Sequence, residues 1–155
     1  MRICEQNRPG HLHKPPGERG QSLMELALMM TLLLVILAGI LDIGRAYFTY
    51  VALRDAAGEG AYYGSIHPTW HASGDNPNPN NIEYRVKQSA PSGGLINWSL
   101  ATVSVDAPDT SPSELIKVTI SYDYMLVTPF VGALVGSQTV QIKASSVAEI
   151  ISPGP

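Results

Sequence analysis

Hydrophobic positions in this chain follow two different rules. From Leu26 to Leu41 the run LALMMTLLLVILAGIL is apolar almost throughout and carries no charge, whereas beyond Val103 apolar and polar residues alternate. The first rule predicts a helix that is greasy on every side. At 1.5 Å per residue the run is about 24 Å long, short of the ~30 Å hydrocarbon thickness of a bilayer. Adding Leu23 and Met24 before it, and Ile43, Ala46, Tyr47 and Phe48 after it, closes the gap. The expectation is a long helix over 21–65 with a membrane span at about 24–48. A buried core helix of a soluble protein is the competing reading, and so apolar a run beside a basic tail counts against it. Tyr47, Phe48 and Tyr50 fall where an interfacial aromatic belt belongs. Asp42 and Arg45, three apart on one helical face, are expected to pair near the outer headgroups.

From Thr49 to Tyr63 the composition stays helical, and Ala52, Ala56, Ala57, Gly60 and Ala61 supply a small-residue surface. Such a surface lets helices approach closely or packs on the protein's own sheet. Glycines 58, 60 and 64 weaken a helix, which predicts an end near Gly64. Residues 66–81 read as a loop, with Pro68, Pro77 and Pro79 hostile to ladders. Asn80 or Asn81 then caps a short helix running to Ala90, with Ile82 and Val86 one turn apart.

The second rule gives strands. Ile116, Val118, Ile120, Tyr122 and Tyr124 alternate with Lys117, Thr119, Ser121 and Asp123, so one face is dry and the other wet. Val103 and Val105 mark an earlier strand, and Val140, Ile142 and Ala144 a later one. Between the last two, TPFVGALVG (128–136) reads as a loop or short helix closing the sheet edge; its more exposed uses are subunit contact or lipid contact beside the outer leaflet. The fold class expected is α+β: a long N-terminal helix laid on a small antiparallel sheet of about three strands, with one short extra helix. Residues 82–151 form the module outside the membrane.

Charge sharpens this division. Residues 1–20 carry Arg2, Arg8, Lys14 and Arg19 against Glu5 and Glu18, a net of +2. The whole chain of 155 residues has 10 basic and 13 acidic residues, so 21–155 net −5. An acidic folded part excludes nucleic acid as a partner, since phosphate neutralisation needs clustered Lys and Arg. The basic, proline-rich tail preceding the span keeps residues 1–20 cytoplasmic and sends the C-terminal side outward. The single cysteine, Cys4, lies in that tail, so the rest of the chain forms no internal disulfide.

Glu25 stands at the mouth of the span, where an acid is expensive without a cation. A cut between Gly20 and Gln21 would place a new α-amino group at Gln21, one helical turn from Glu25. The stretch Gly20-Gln21-Ser22-Leu23-Met24-Glu25 resembles the prepilin processing site of type IV pilin-like proteins, with Gly before the cut and Glu fifth after it. The longer run from Glu18 to Gly64, including Gly39, Asp42, Gly44, Arg45, Asp55-Ala56-Ala57 and Glu59-Gly60-Ala61, is similar to the TadE family, pseudopilins of the tight-adherence (Flp) pilus system. Leu26 departs from that pattern, since processed members usually have an aromatic residue there. The C-terminal strands resemble the same family more loosely. The resemblance implies a pilin-like fold and an assembly subunit, not an enzyme, with a cytoplasmic leader 1–20 removed after Gly20. Its implied partners are a prepilin peptidase, other pilins and pseudopilins, the inner-membrane assembly platform and membrane lipid.

An ordinary secretory signal peptide also begins basic and turns apolar. Here Glu25 interrupts that junction, and Ile36-Leu37-Ala38 offers no small-x-small cleavage site. A second reading is an uncleaved, signal-anchored surface protein with an external binding domain. Enzymatic chemistry finds no frame: there is no Gly-x-Ser-x-Gly turn and no phosphate-binding glycine loop. His67 and His71 with Asp75 are plausible zinc-ligand types, but Pro68 breaks a helical spacing and solvated loop histidines are the simpler reading. His11 and His13 sit in the proline-rich tail without a scaffold, and Asn97-Trp98-Ser99 fits a glycosylation triplet that matters only in a secretory host. No cofactor, metal or small-molecule substrate is expected.

Overall fold

The computed structural model describes residues 17–70, 81–90, 94, 96–107, 109 and 111–151. Their order is α1 (Gly17–Ile66), α2 (Ile82–Ser89), a single 3-10 turn (Trp98–Leu100), β1 (Ala101–Asp106), β2 (Leu115–Met125), α3 (Pro129–Val135) and β3 (Thr139–Glu149). This is the α+β fold expected from the alternation. The chain divides into two compact units, Met1–Ile36 and Leu37–Pro155.

The first unit contributes helix. Every residue from Gly20 to Leu34 is exposed, including Leu28, Met29, Leu33 and Leu34 at 60–69 %. Thr31, the polar interruption of the apolar run, donates its hydroxyl to the Ala27 carbonyl at 2.9 Å, which satisfies it within the helix. Helix α1 starts at Gly17, one turn before the expected boundary at residue 21. The strong helix formers that follow carry the helix back past Gly20.

In the second unit the sheet has the order β1-β2-β3, antiparallel throughout. The central β2 buries Ile116, Val118, Ile120, Tyr122 and Tyr124 and exposes Lys117 and Asp123, as its period-two pattern requires. Val103 faces Ile120 on one side and Ala144 faces it on the other. Against this face lie Leu53, Ala56, Ala57 and Ala61 of α1, together with Ile82 and Val86 of α2. Burying one such Ile or Leu side chain stabilises by roughly 1.5–3 kcal/mol.

The expected end of α1 near Gly64 is overshot by two residues, because the glycines serve packing and do not terminate the helix. A Cβ on Gly60 would collide with the Val86 side chain, and one on Gly64 would stand 2.6 Å from Ile116 Cδ1. Helix and sheet therefore approach closer than any side chain allows. Asn81 is the cap of α2, accepting from the Glu83 amide at 2.8 Å. The structure adds two short elements to the one short helix expected. The 3-10 turn follows Asn97, whose side chain accepts from the Ser99 amide, and Trp98 Nε1 donates to the Ala90 carbonyl at 2.7 Å. The segment 128–136 resolves into α3, with Pro129 at its start and Gly136, at φ 84°, ending it in the left-handed region.

Candidate functional site

Two places on α1 hold the candidate residues read from the sequence. The first is the Gly20–Glu25 turn. Gly20 and Gln21 are both exposed within the helix, and a Cβ on Gly20 would meet nothing within 4 Å. Neither packing nor backbone conformation requires glycine there. Gln21 Nε2 donates to Glu25 Oε1 at 3.2 Å, so residue 21 and Glu25 are already face to face across one turn. Glu25 lies beside Leu23, Met24 and Leu26, each at least 59 % exposed.

The second place is Asp42, in the other unit. A carboxylate that continues an apolar helix needs donors, and Asp42 is only 2 % exposed. The residues just after β2 turn inward to supply them. Asp42 Oδ1 accepts from the Val127 amide at 3.2 Å, and Oδ2 accepts from the Thr128 amide at 2.8 Å and also from the Thr128 hydroxyl. Bonds to an ionised acceptor are about twice as strong as neutral ones. The Tyr124 hydroxyl makes a long bond to the Asp42 carbonyl at 3.5 Å. Burial raises the pKa of that hydroxyl above its ordinary value; Arg45 opposes the rise, while Asp42 and Tyr122 add to it. Thr128 is also the residue before Pro129, at the start of α3. One acid on α1 thus fastens the whole β2–α3 corner.

This arrangement redistributes the expected partners. The Asp42 carboxylate makes its hydrogen bonds to Val127 and Thr128, and the exposed Arg45 acts on it as a nearby charge. Val127, Thr128 and Tyr124 are partners of Asp42 that sequence reading missed. Tyr47 and Phe48 are 63 % and 61 % exposed, with rings edge to face at 6.2 Å. His67 stacks on Trp70, with ring centroids 3.9 Å apart, and lies 4.8 Å from the Tyr63 ring. It belongs to an aromatic cluster, over which Arg85 sits 4.9 Å from the Tyr63 centroid. His71 and Asp75, like His11, His13 and Cys4, lie outside the described residues. Among the described residues no group of three or more His, Cys, Asp or Glu could hold a metal ion.

By length and composition α1 can cross a membrane, and its most apolar part is almost wholly unburied within the structure. The family described as TadE-like protein matches residues 20–61. That stretch starts at Gly20, contains Glu25, Asp42 and Arg45, and stops before α2 and the sheet. No curated protein and no solved structure matches the chain. The apolar N-terminal helix and the TadE-like match fit a membrane-anchored protein associated with a pilus.

Proposed function

We propose that the chain is a TadE-like pseudopilin, a non-enzymatic assembly subunit of a tight-adherence (Flp, type IVb-like) pilus or a related secretion apparatus. It is inserted in the bacterial inner membrane with residues 1–20 inside and the sheet domain outside, and a prepilin peptidase cuts it between Gly20 and Gln21. The observation that carries this reading is the TadE-like match, whose first residue is Gly20. Exposure of the Gly20–Gln21 junction supports access by a peptidase. A glycine that neither packing nor backbone conformation requires fits recognition by an outside partner.

Cleavage would turn Gln21 into an α-amine within about 5–6 Å of Glu25, the spacing of side chains one turn apart. In a low-dielectric setting that pairing offsets much of the cost of the acid. The same pairing can be made with the amine of a neighbouring subunit, which would draw apolar helices together in register as lipid contacts are exchanged for packing. Other pilins or pseudopilins and the inner-membrane platform are the partners in this scheme.

Intact mass and amino-terminal sequencing of the protein recovered from its own membrane test the proposal. The expected mature chain begins at Gln21, and Gly20→Ala abolishes the cut. Glu25→Ala should leave insertion intact and lower co-assembly with pilin subunits. A chain that keeps residues 1–20 in the presence of active prepilin peptidase would instead favour a permanently anchored surface protein.

A further inference from the structure

The β2–α3 corner has a surface that the assembly reading does not use. From Tyr124 to Ile142 the chain contains no Asp, Glu, Lys or Arg, in a part of the protein that is otherwise acidic. Within that stretch Val127, Phe130, Leu134 and Val135 are 61, 60, 80 and 59 % exposed. Exposed apolar groups of this size, gathered together, mark a contact surface.

Where this surface lies indicates what covers it. Val131 packs at 3.6 Å from the position of a Gly39 Cβ, and Thr128 is bonded to Asp42. Helix α3 therefore flanks α1 at the level of Gly39–Asp42. At about 100° per residue, Ala38, Gly39 and Asp42 share one side of α1, the side α3 covers. Leu37, Ile40, Leu41 and Ile43 point around the remaining sides, and all four are exposed. The outer face of α3 completes the ring. A second copy of the chain would cover one sector of such a collar, whereas a bilayer covers all of it. The aromatic residues Tyr47 and Phe48 follow about 8–13 Å further along the helix, on the side where an interfacial aromatic belt belongs.

We infer that α3 is a lipid-seated foot: Phe130, Leu134 and Val135 enter the outer leaflet beside the span, and Asp42 holds the foot to the helix. Seven residues are too few for a helix that binds lipid by itself, and the Asp42 bonds supply the missing rigidity. The carboxylate is in turn kept from the hydrocarbon by the turn it fastens. The domain then stands on the membrane through two contacts, and extraction of the subunit must withdraw both.

The inference rests on the anchor in the proposed function, and one experiment separates the two. Full-length protein carrying Cys4→Ser is reconstituted in phosphatidylcholine–phosphatidylglycerol vesicles with a single introduced cysteine bearing an environment-sensitive fluorophore. Leu134→Cys reports the foot, Leu34→Cys the span, and Val147→Cys, exposed on β3, serves as the aqueous reference. The expected result is loss of Leu134 emission to lipids carrying a nitroxide high in the acyl chain, with protection from aqueous iodide. The Leu34 label should be quenched by a nitroxide deep in the chain, and the Val147 label by iodide. Iodide quenching at Leu134 with a lipid-embedded Leu34 overturns the foot and leaves the anchor standing; an aqueous Leu34 overturns both. Shielding of Leu134 from both quenchers, with disulfide cross-links between copies rising with protein-to-lipid ratio, also overturns it in favour of a second copy.

Discussion

Residues 20–34 and residues 42–65 of α1 are both rich in good helix formers, yet they solve the problem of apolar surface in opposite ways. The first stretch uses Leu and Met on every side and leaves all of them exposed. The second puts Thr49, Leu53, Ala56, Ala57, Gly60, Ala61, Gly64 and Ser65 on one face and buries them all, leaving Arg54, Asp55 and Glu59 outside. Large residues on all sides suit a fluid surrounding with no shape to match. Small ones on one side suit a rigid neighbour that must come close. The change from one to the other occurs at Asp42, the first fully buried residue of the helix.

Truncating the large residue on the inner face should cost most. Leu53 is 0 % exposed and belongs to the core that α1, α2 and β2 share. We expect Leu53→Ala to lower the unfolding free energy of the sheet domain by about 4 kcal/mol. Denaturation in detergent micelles, followed by fluorescence of Trp98, whose indole is tied to Ala90, measures this. A loss below about 1 kcal/mol would mean that the helix and sheet are not one packed unit.

Asp42 comes next. Asp42→Ala removes an ionised acceptor and leaves the Val127 and Thr128 amides short of a partner, a loss of about 3 kcal/mol. Asp42→Asn keeps one oxygen but turns an NH2 group toward a donor, for a loss of about 2 kcal/mol. If the Ala variant were no worse than the Asn variant, the 127–128 amides would be finding other partners and the corner would not depend on this residue.

The strands and their dry face were legible from sequence because their evidence is local: period two is visible within five residues, and Ile116 through Tyr124 display it without interruption. The Asn81 cap was legible for the same reason, since the cap and the amide it serves are two residues apart. The amphipathic part of α1 was readable as a small-residue face, though the sheet it meets is 50 or more residues away. The partners of Asp42 were not readable. They are backbone amides 85 and 86 residues distant, and an amide leaves no mark on composition. Arg45, one turn away, was the visible cation, so the expectation settled on it. The packing role of Gly60 and Gly64 was not readable, because a glycine that weakens an isolated helix is indistinguishable, by letter alone, from one that admits a neighbouring side chain. The likeness to the TadE-like family was readable because it is carried by letters within one continuous stretch, which the family match covers.

Paired glycine substitutions separate these two meanings with a smaller effect. Ala is favoured over Gly in a helix by about 1 kcal/mol, so Gly58→Ala, where the new Cβ meets nothing within 4 Å, should stabilise the domain by about 0.5–1 kcal/mol. Gly60→Ala gains the same propensity but drives its Cβ into the buried Val86 side chain. A net loss of about 1–2 kcal/mol is expected. Equal and positive effects at both sites, read as midpoint shifts in the same unfolding assay, would show that the close approach of α1 to α2 and β2 is not required.

The smallest effect should come from the stretch that looks most hydrophobic. Leu33 is 60 % exposed and is not one of the residues that form the core, so Leu33→Ala should change the unfolding free energy of the sheet domain by less than about 0.5 kcal/mol. The contrast with Leu53→Ala is the informative quantity, because both changes delete the same atoms from the same helix. In micelles, the Leu33 side chain exchanges its contacts with detergent tails for nearly equivalent ones whether the domain is folded or unfolded, and that equivalence cancels the transfer term. At Leu53 the folded state alone supplies the apolar surroundings. A Leu33→Ala loss approaching that of Leu53→Ala would mean that residues 20–34 are covered by protein in the folded state, and the division of α1 into a lipid-facing stretch and a sheet-facing stretch would fall.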